Sequence, residues 1–173
     1  MRTISIANQK GGVGKTSVTV NLAAELARMG QRVLIVDMDA QRNATDTLCG
    51  GVRHTGDMYR VLTGGDSASE CIEEIGENLW ILPGSPDVQF FDDQDDGILK
   101  RALAGVGDRF DLCLVDNPPA LDGKTMNSLV ASDFVLIVTE PDTYARKGIR
   151  ALLVSMGEVC RAAGGGRKCP EYG

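Results

Sequence analysis

One stretch constrains the fold more than any other: residues 2–37, RTISIANQKGGVGKTSVTVNLAAELARMGQRVLIVD. It opens on an alternating, β-branched run (2–8) that reads as a strand. A glycine-rich loop follows, then a helical pattern from Lys15 to Met29. Val18, Val20, Leu22, Ala23 and Leu26 suit a largely buried helix, which Gly30 stops. Residues 31–37 read as a strand around a continuous apolar run at 33–36, the mark of a strand covered on both faces. Strand, helix and strand at this spacing predict a βαβ unit, a parallel pair joined by a right-handed crossover.

The loop itself, NQKGGVGKTS (8–17), almost spells the phosphate-loop pattern G-x-x-x-x-G-K-[ST]. Gly14, Lys15 and Thr16 fit its end, but Gln9 stands where the first glycine belongs. Gly11, Gly12 and Gly14 let the backbone wrap around phosphate oxygens, and the following helix N-terminus supplies N–H donors. The candidate nucleotide-binding residues are therefore Gly11, Gly12, Val13, Gly14, Lys15, Thr16 and Ser17. Lys15 would reach the β- and γ-phosphates, and the Thr16 hydroxyl would hold Mg²⁺. Lys10 has no role in an ordinary phosphate loop. It is either a solvated side chain or, starting on the opposite side of the loop from Lys15, a group supplied in trans to a second nucleotide-bound subunit.

The chain beyond continues the alternation. Short helices are predicted at 45–49, 57–62, 67–75 and 97–106, a strand at 78–84, buried strands at 110–116 and 133–140, and a helix at about 144–163. The fold expected is α/β: a doubly wound, mostly parallel sheet in three α/β/α layers. One domain (1–163) is followed by GGGRKCPEYG (164–173), which has the composition of a disordered tail. In such sheets ligands bind beyond the carboxyl ends of the strands. The residues able to do chemistry fall there: Gln9–Thr16, Asp37–Asn43 and Asp116–Pro119. Asp116 ends an apolar strand and could hold Mg²⁺ through a water. Asn117, Pro118 and Pro119 would make a stiff segment near the γ-phosphate. Asp39, two residues beyond the strand-ending Asp37, could position the attacking water or help hold the metal's waters; the alternative is a solvated turn.

Charge and cysteines bound the remaining classes. The 173 residues carry a net charge of −6, against a wholly basic nucleic-acid binder. Residues 141–173 hold six basic and three acidic side chains, a net +3, leaving −9 for residues 1–140. Five cysteines, none in a C-x-x-C pair, and one histidine argue against a zinc site or disulfide framework. No secretory signal precedes the first strand, and no apolar run approaches a membrane span, so a reduced, cytoplasmic protein is expected.

KGGVGKT resembles the deviant Walker A signature of the ParA/MinD superfamily of P-loop NTPases. VLIVDMDAQRN resembles the switch I block of ParA-type partition ATPases, and FDLCLVDNPPA their Walker B and switch II block. ASDFVLIVTEPDTYARKGI is similar to the strand and helix that follow, and ILPGSPDV to the intermediate strand and turn. The resemblance covers residues 2–157. It implies slow ATP hydrolysis with ATP and Mg²⁺, and an ATP-dependent face-to-face homodimer. It also implies a stimulating ParB-like adaptor, nonspecific DNA as a track, and plasmid or chromosome partition at the nucleoid. By position, Lys10 would contact ATP in the partner subunit, Lys15 and Thr16 would hold phosphate and Mg²⁺, and Asp39 would position water. Asp116 would be the Walker B aspartate and Pro118 part of switch II, with Thr16, Asp39 and Asp116 around the metal. Arg146, Lys147, Arg150, Arg161, Arg167 and Lys168 are the DNA candidates.

Three departures accompany the resemblance. Relatives usually continue through another strand and helices, which commonly supply adenine contacts and part of the DNA surface. No helix-turn-helix extension precedes the first strand. Asn117 stands where threonine is common. Alternatives in other classes are a MinD-like membrane-surface ATPase and a compact or truncated interaction protein that binds nucleotide weakly. A tyrosine kinase or metal-cluster carrier of the superfamily lacks its tyrosine-rich tail or paired cysteines here.

Overall fold

The structure, a computed structural model, describes residues 1–52, 54–92, 95–140, 149, 150, 152–154, 156, 157, 171 and 172. The strands are β1 (Arg2–Ala7), β2 (Val33–Asp37), β3 (Glu73–Gly76), β4 (Leu79–Leu82), β5 (Leu112–Asp116), β6 (Phe134–Ile137) and β7 (Glu171–Tyr172). The helices are α1 (Lys15–Arg28), α2 (Asn43–Cys49), α3 (Met58–Leu62), α4 (Ala68–Cys71), α5 (Ile98–Ala104) and α6 (Gly123–Ala131), with further helical residues within 149–157.

The strands form one sheet in the order β3-β4-β2-β5-β1-β6-β7, parallel throughout except for β3 against β4. Both faces are covered, and alternation along each strand divides the core. Leu34 and Val36 of β2, with Cys113 and Val115 of β5, pack with α3 and α5. Val33 and Ile35, with Leu114, pack with Ala23 and Ala27 of α1 on the other face. Five consecutive buried residues in β2 follow from this double coverage. A third cluster joins Ala7, Leu129 and Val135 to Leu152 and Met156.

Three expectations need correction. β1 and β2 are parallel but do not pair, because β5 lies between them and hydrogen-bonds to both. The α1 crossover spans two strand positions. The helix predicted over 67–75 ends at Cys71: a capping box between Ser67 and Glu70 starts it, and Ile72 turns extended. Glu73–Gly76 then pairs antiparallel with β4 around a turn that holds Asn78 at φ 58. The apolar spacing of Ile72 and Ile75 imitates a helix, but the open edge of β4 claims the segment. Finally, α6 has no counterpart among the predicted elements. It is capped by Asp122, whose Oδ1 accepts the backbone N–H groups of Lys124 and Thr125.

Within the segment 164–173, Glu171–Tyr172 run parallel to Phe134–Val135. The rest of 164–173 and most of the helix predicted at 144–163 lie outside the described residues.

Candidate nucleotide site

β1 ends at the loop, and the loop is tethered at its start. Asn8 donates from Nδ2 to the Val138 carbonyl (2.7 Å) and accepts the Lys10 N–H at Oδ1 (3.0 Å), tying the exits of β1 and β6 together. Gly12 and Gly14 adopt φ 76 and 92, a left-handed backbone that glycine takes without strain. Gly14 caps α1 with no side-chain bond, and the first turn contains no acidic residue. The first N–H groups and the positive end of the helix dipole are left open to an anion. Val13 is buried and anchors the loop's middle, Ser17 is exposed, and Gly11 lies against Pro119, whose Cβ is 4.0 Å from where a Gly11 Cβ would stand. Pro118, next to it in the chain, is buried.

The two lysines part company. Lys15 turns inward: it is 7% exposed, and its Nζ donates to the Lys10 carbonyl at 3.3 Å. Burial lowers its pKa, while Asp116 and Asp39 pull it back up. Lys10 points outward and pairs with Glu140 (Nζ–Oε2 3.1 Å), both side chains about half exposed.

β5 sits between β1 and β2, and the register sets Asp116 beside Asp37 and opposite Ile6. Thr16 Oγ1 donates to Asp116 Oδ2 at 2.7 Å and Thr19 Oγ1 to Oδ1 at 3.2 Å. Burial raises the Asp116 pKa to about 7; the threonine bonds lower it, and Asp37 and Asp39 raise it further. Asn117, next in the chain, is buried and donates to Ser5 Oγ (2.9 Å) and the Ile6 carbonyl (3.0 Å), locking the end of β5 to β1.

Asp37 and Asp39 do different things. Asp37 is fully buried and accepts the Asp39 N–H (3.1 Å), the Thr45 N–H (2.9 Å) and the Thr45 hydroxyl (2.7 Å). Burial raises its pKa against those bonds. Gly84 closes the network: its N–H reaches Thr45 Oγ1 (2.9 Å), and a Cβ there would stand 2.9 Å from Asp37 Cγ. Asp37 thus sets the path of the loop, and Asp39, 9% exposed, is held at its mouth with Oδ1 on the Gln41 N–H. The segment carries a cost at Arg42, which has φ 55 and an Nε buried without a hydrogen-bond partner among the described residues. Left-handed backbone costs a non-glycine residue about 1–2 kcal/mol, more than its exposed pair with Asp46 returns. Arg42→Gly is expected to raise stability by about 1 kcal/mol, read as a higher urea midpoint at unchanged slope.

The structure therefore brings Lys15, Thr16, Asp39 and Asp116 together at the carboxyl ends of β1, β2 and β5, with Lys10 facing away. Oxygen donors from a threonine and carboxylates suit a hard cation such as Mg²⁺. Two contributors escape the sequence reading. Thr19 could be found from its i, i+4 spacing to Lys15, whereas the role of Thr45 has no local signal. Of the DNA candidates, Arg150 is exposed; Arg146, Lys147, Arg161, Arg167 and Lys168 lie outside the described residues. Among the described residues, no helix is long and apolar enough to cross a membrane.

The sequence matches the AAA domain family AAA_31 over residues 1–163. It is 41% identical over 162 residues to the chromosome-partitioning ATPase Soj of Thermus thermophilus, covering 92% of this chain and 63% of that protein. The chain spans less than two thirds of the length of the first curated relatives it matches. Among solved structures, it is similar to cobyrinic acid a,c-diamide synthase of Mycobacterium smegmatis with bound ATP analog and magnesium. That match has a TM-score of 0.88 and 29% identity, over 99% of this chain and 72% of that one. A plasmid partition protein from Borrelia burgdorferi matches with a TM-score of 0.86 and 26% identity, over 91% and 74%. With the family match over nearly the whole length and the phosphate-loop geometry in place, the chain belongs to the AAA_31 family of AAA domains, as a ParA-type member of the P-loop NTPases.

Proposed function

We propose that this chain binds ATP with Mg²⁺ in the phosphate loop and hydrolyses it slowly. It acts as a dimerising switch that partitions plasmid or chromosomal DNA with a ParB-like adaptor, on nonspecific DNA at the nucleoid. The observation that carries the reading is the meeting of Lys15, Thr16, Asp39 and Asp116 beneath an uncapped helix N-terminus. The relatives' names supply the partition role.

In this reading the loop N–H groups and Lys15 hold the β- and γ-phosphates. Thr16 and Asp116 would hold Mg²⁺, with Asp39 beside them. When bound, Mg²⁺ neutralises charge developing between the phosphates. Asp39 orients the attacking water by accepting its proton in a hydrogen bond. Lys10, already outward, contacts the phosphates of a facing subunit as an arginine finger would.

Light scattering tests the switch. The wild-type chain is expected to dimerise with ATP and Mg²⁺ and not with ADP, and Lys10→Ala is expected to weaken that dimer at least about tenfold while binding ATP normally. A wild-type chain that stays monomeric with ATP would falsify the sandwich reading.

A further inference from the structure

Thr19 lies one turn into α1, fully buried, beneath the residues that face the phosphates. Its hydroxyl has one proton and two acceptors in reach: the Lys15 carbonyl at 3.0 Å and Asp116 Oδ1 at 3.2 Å. A threonine inside a helix ordinarily returns that proton to the carbonyl four residues back. Here a carboxyl competes for it, and once ionised that acceptor makes the stronger bond. Thr16, one turn earlier on the same helix, serves the other oxygen, Oδ2, at 2.7 Å. The two hydroxyls therefore hold Asp116 by one oxygen each, from the exposed and the buried side.

We infer that Thr19 is a positioning residue for Asp116, holding its carboxylate by the buried oxygen when the Thr16 hydroxyl turns to a divalent cation. The inference rests on the reading that Thr16 and Asp116 hold Mg²⁺. Without cation, Asp116 has two anchors and its rotamer is doubly determined. With cation, Thr16 has a second demand on its oxygen, and the bond from Thr19 keeps the carboxylate from rotating. Helix α1 then presents the metal-facing hydroxyl and the carboxylate's anchor as one rigid unit, because residues three apart on a helix are neighbours on its surface. Hydrogen bonds behind a metal-binding group typically govern about 10- to 100-fold of metal affinity.

Affinity for a fluorescent non-hydrolysable ATP analogue, with saturating Mg²⁺ and with EDTA, tests this in wild type, Thr19→Val and Thr19→Ser. Valine keeps the shape and removes the hydroxyl; serine keeps the hydroxyl. The Mg²⁺-dependent gain in affinity is expected to fall about tenfold in Thr19→Val and to return within about twofold of wild type in Thr19→Ser. Affinity in EDTA is expected to be equal in all three. A full Mg²⁺ gain in Thr19→Val overturns the inference. So does an equal loss with and without Mg²⁺, which would mark a packing role, and so does a serine variant as weak as the valine one. A wild type with no Mg²⁺ gain at all overturns the underlying reading of the metal site instead.

Discussion

Asp39→Ala is expected to lower ATP turnover by about 10²- to 10⁴-fold, the range of a lost general base or water-orienting group. Nucleotide affinity in EDTA should stay within about threefold of wild type, because a group that orients water in the transition state leaves ground-state phosphate binding alone. The geometry separates the two effects. In the proposed reading, phosphate binding would fall to the loop N–H groups, the open end of α1 and buried Lys15. Asp39 belongs to the β2 exit, and its backbone is held by Asp37, which the substitution leaves in place. Removing Asp39 also removes one of the two charges that offset the burial of Lys15; Asp116 remains as the larger one. Single-turnover hydrolysis beside equilibrium binding decides the matter. If affinity drops in step with the rate, Asp39 acts on bound ATP and not on water.

The second large effect is on stability. A carboxyl in the unfolded chain loses its proton near 3.8, but folded Asp116 keeps it to about 7. Between those values the folded state binds more protons, so raising pH through that window lowers stability. Each tenfold difference in proton affinity between the folded and unfolded chain is worth about 1.4 kcal/mol. The nucleotide-free protein at pH 8 therefore bears a strain of up to about 4 kcal/mol from this one buried charge. Asp116→Asn removes the charge, but it also weakens one threonine bond, worth about 1 kcal/mol, and takes away the larger of the two charges that offset the burial of Lys15, a cost of about 1 kcal/mol more. The variant is expected to be about 1–2 kcal/mol more stable than wild type at pH 8 in EDTA, with the advantage lost as pH falls through the window and reversed near pH 4. It should also lose Mg²⁺-dependent nucleotide binding. Urea titrations of both proteins across the window give the difference directly; a difference that does not change with pH would refute the assignment of the strain to Asp116.

Legibility follows locality. The strands can be read because burial on both faces leaves continuous apolar runs, as in β2 and β5, and the loop because its glycines and Lys15 form one contiguous pattern. The insertion of β5 between β1 and β2 cannot be read, since 74 residues separate the end of β2 from the start of β5 and strand order depends on distant pairings. β3 passes for helix because its partner lies across a turn and its four residues hold a single apolar side chain, Ile75, three after Ile72. α6 escapes notice although Asp122 is a good cap, since its buried polar residues Thr125, Asn127 and Ser128 blur the apolar stripe. At the site, Asp37 and Asp39 stand out as a pair. Their division of labour depends on Thr45 of α2, which donates to Asp37, and on Gly84 beyond β4, which donates to Thr45.

Helix α1 buries Lys15, Thr19, Ala23 and Ala27, a single line at four-residue spacing. Its first half lies at the proposed phosphate site and its second half is wedged on the sheet by two small residues. A helix rises about 1.5 Å per residue, so Ala23 sits about 12 Å from Lys15 on the same rigid rod. A bulkier side chain there would pivot the rod and swing its working tip away from β5. Attempts to thermostabilise the protein by filling the sheet–helix seam at Ala23 or Ala27 therefore put nucleotide turnover at risk from a distance, as misalignment and not as lost chemistry.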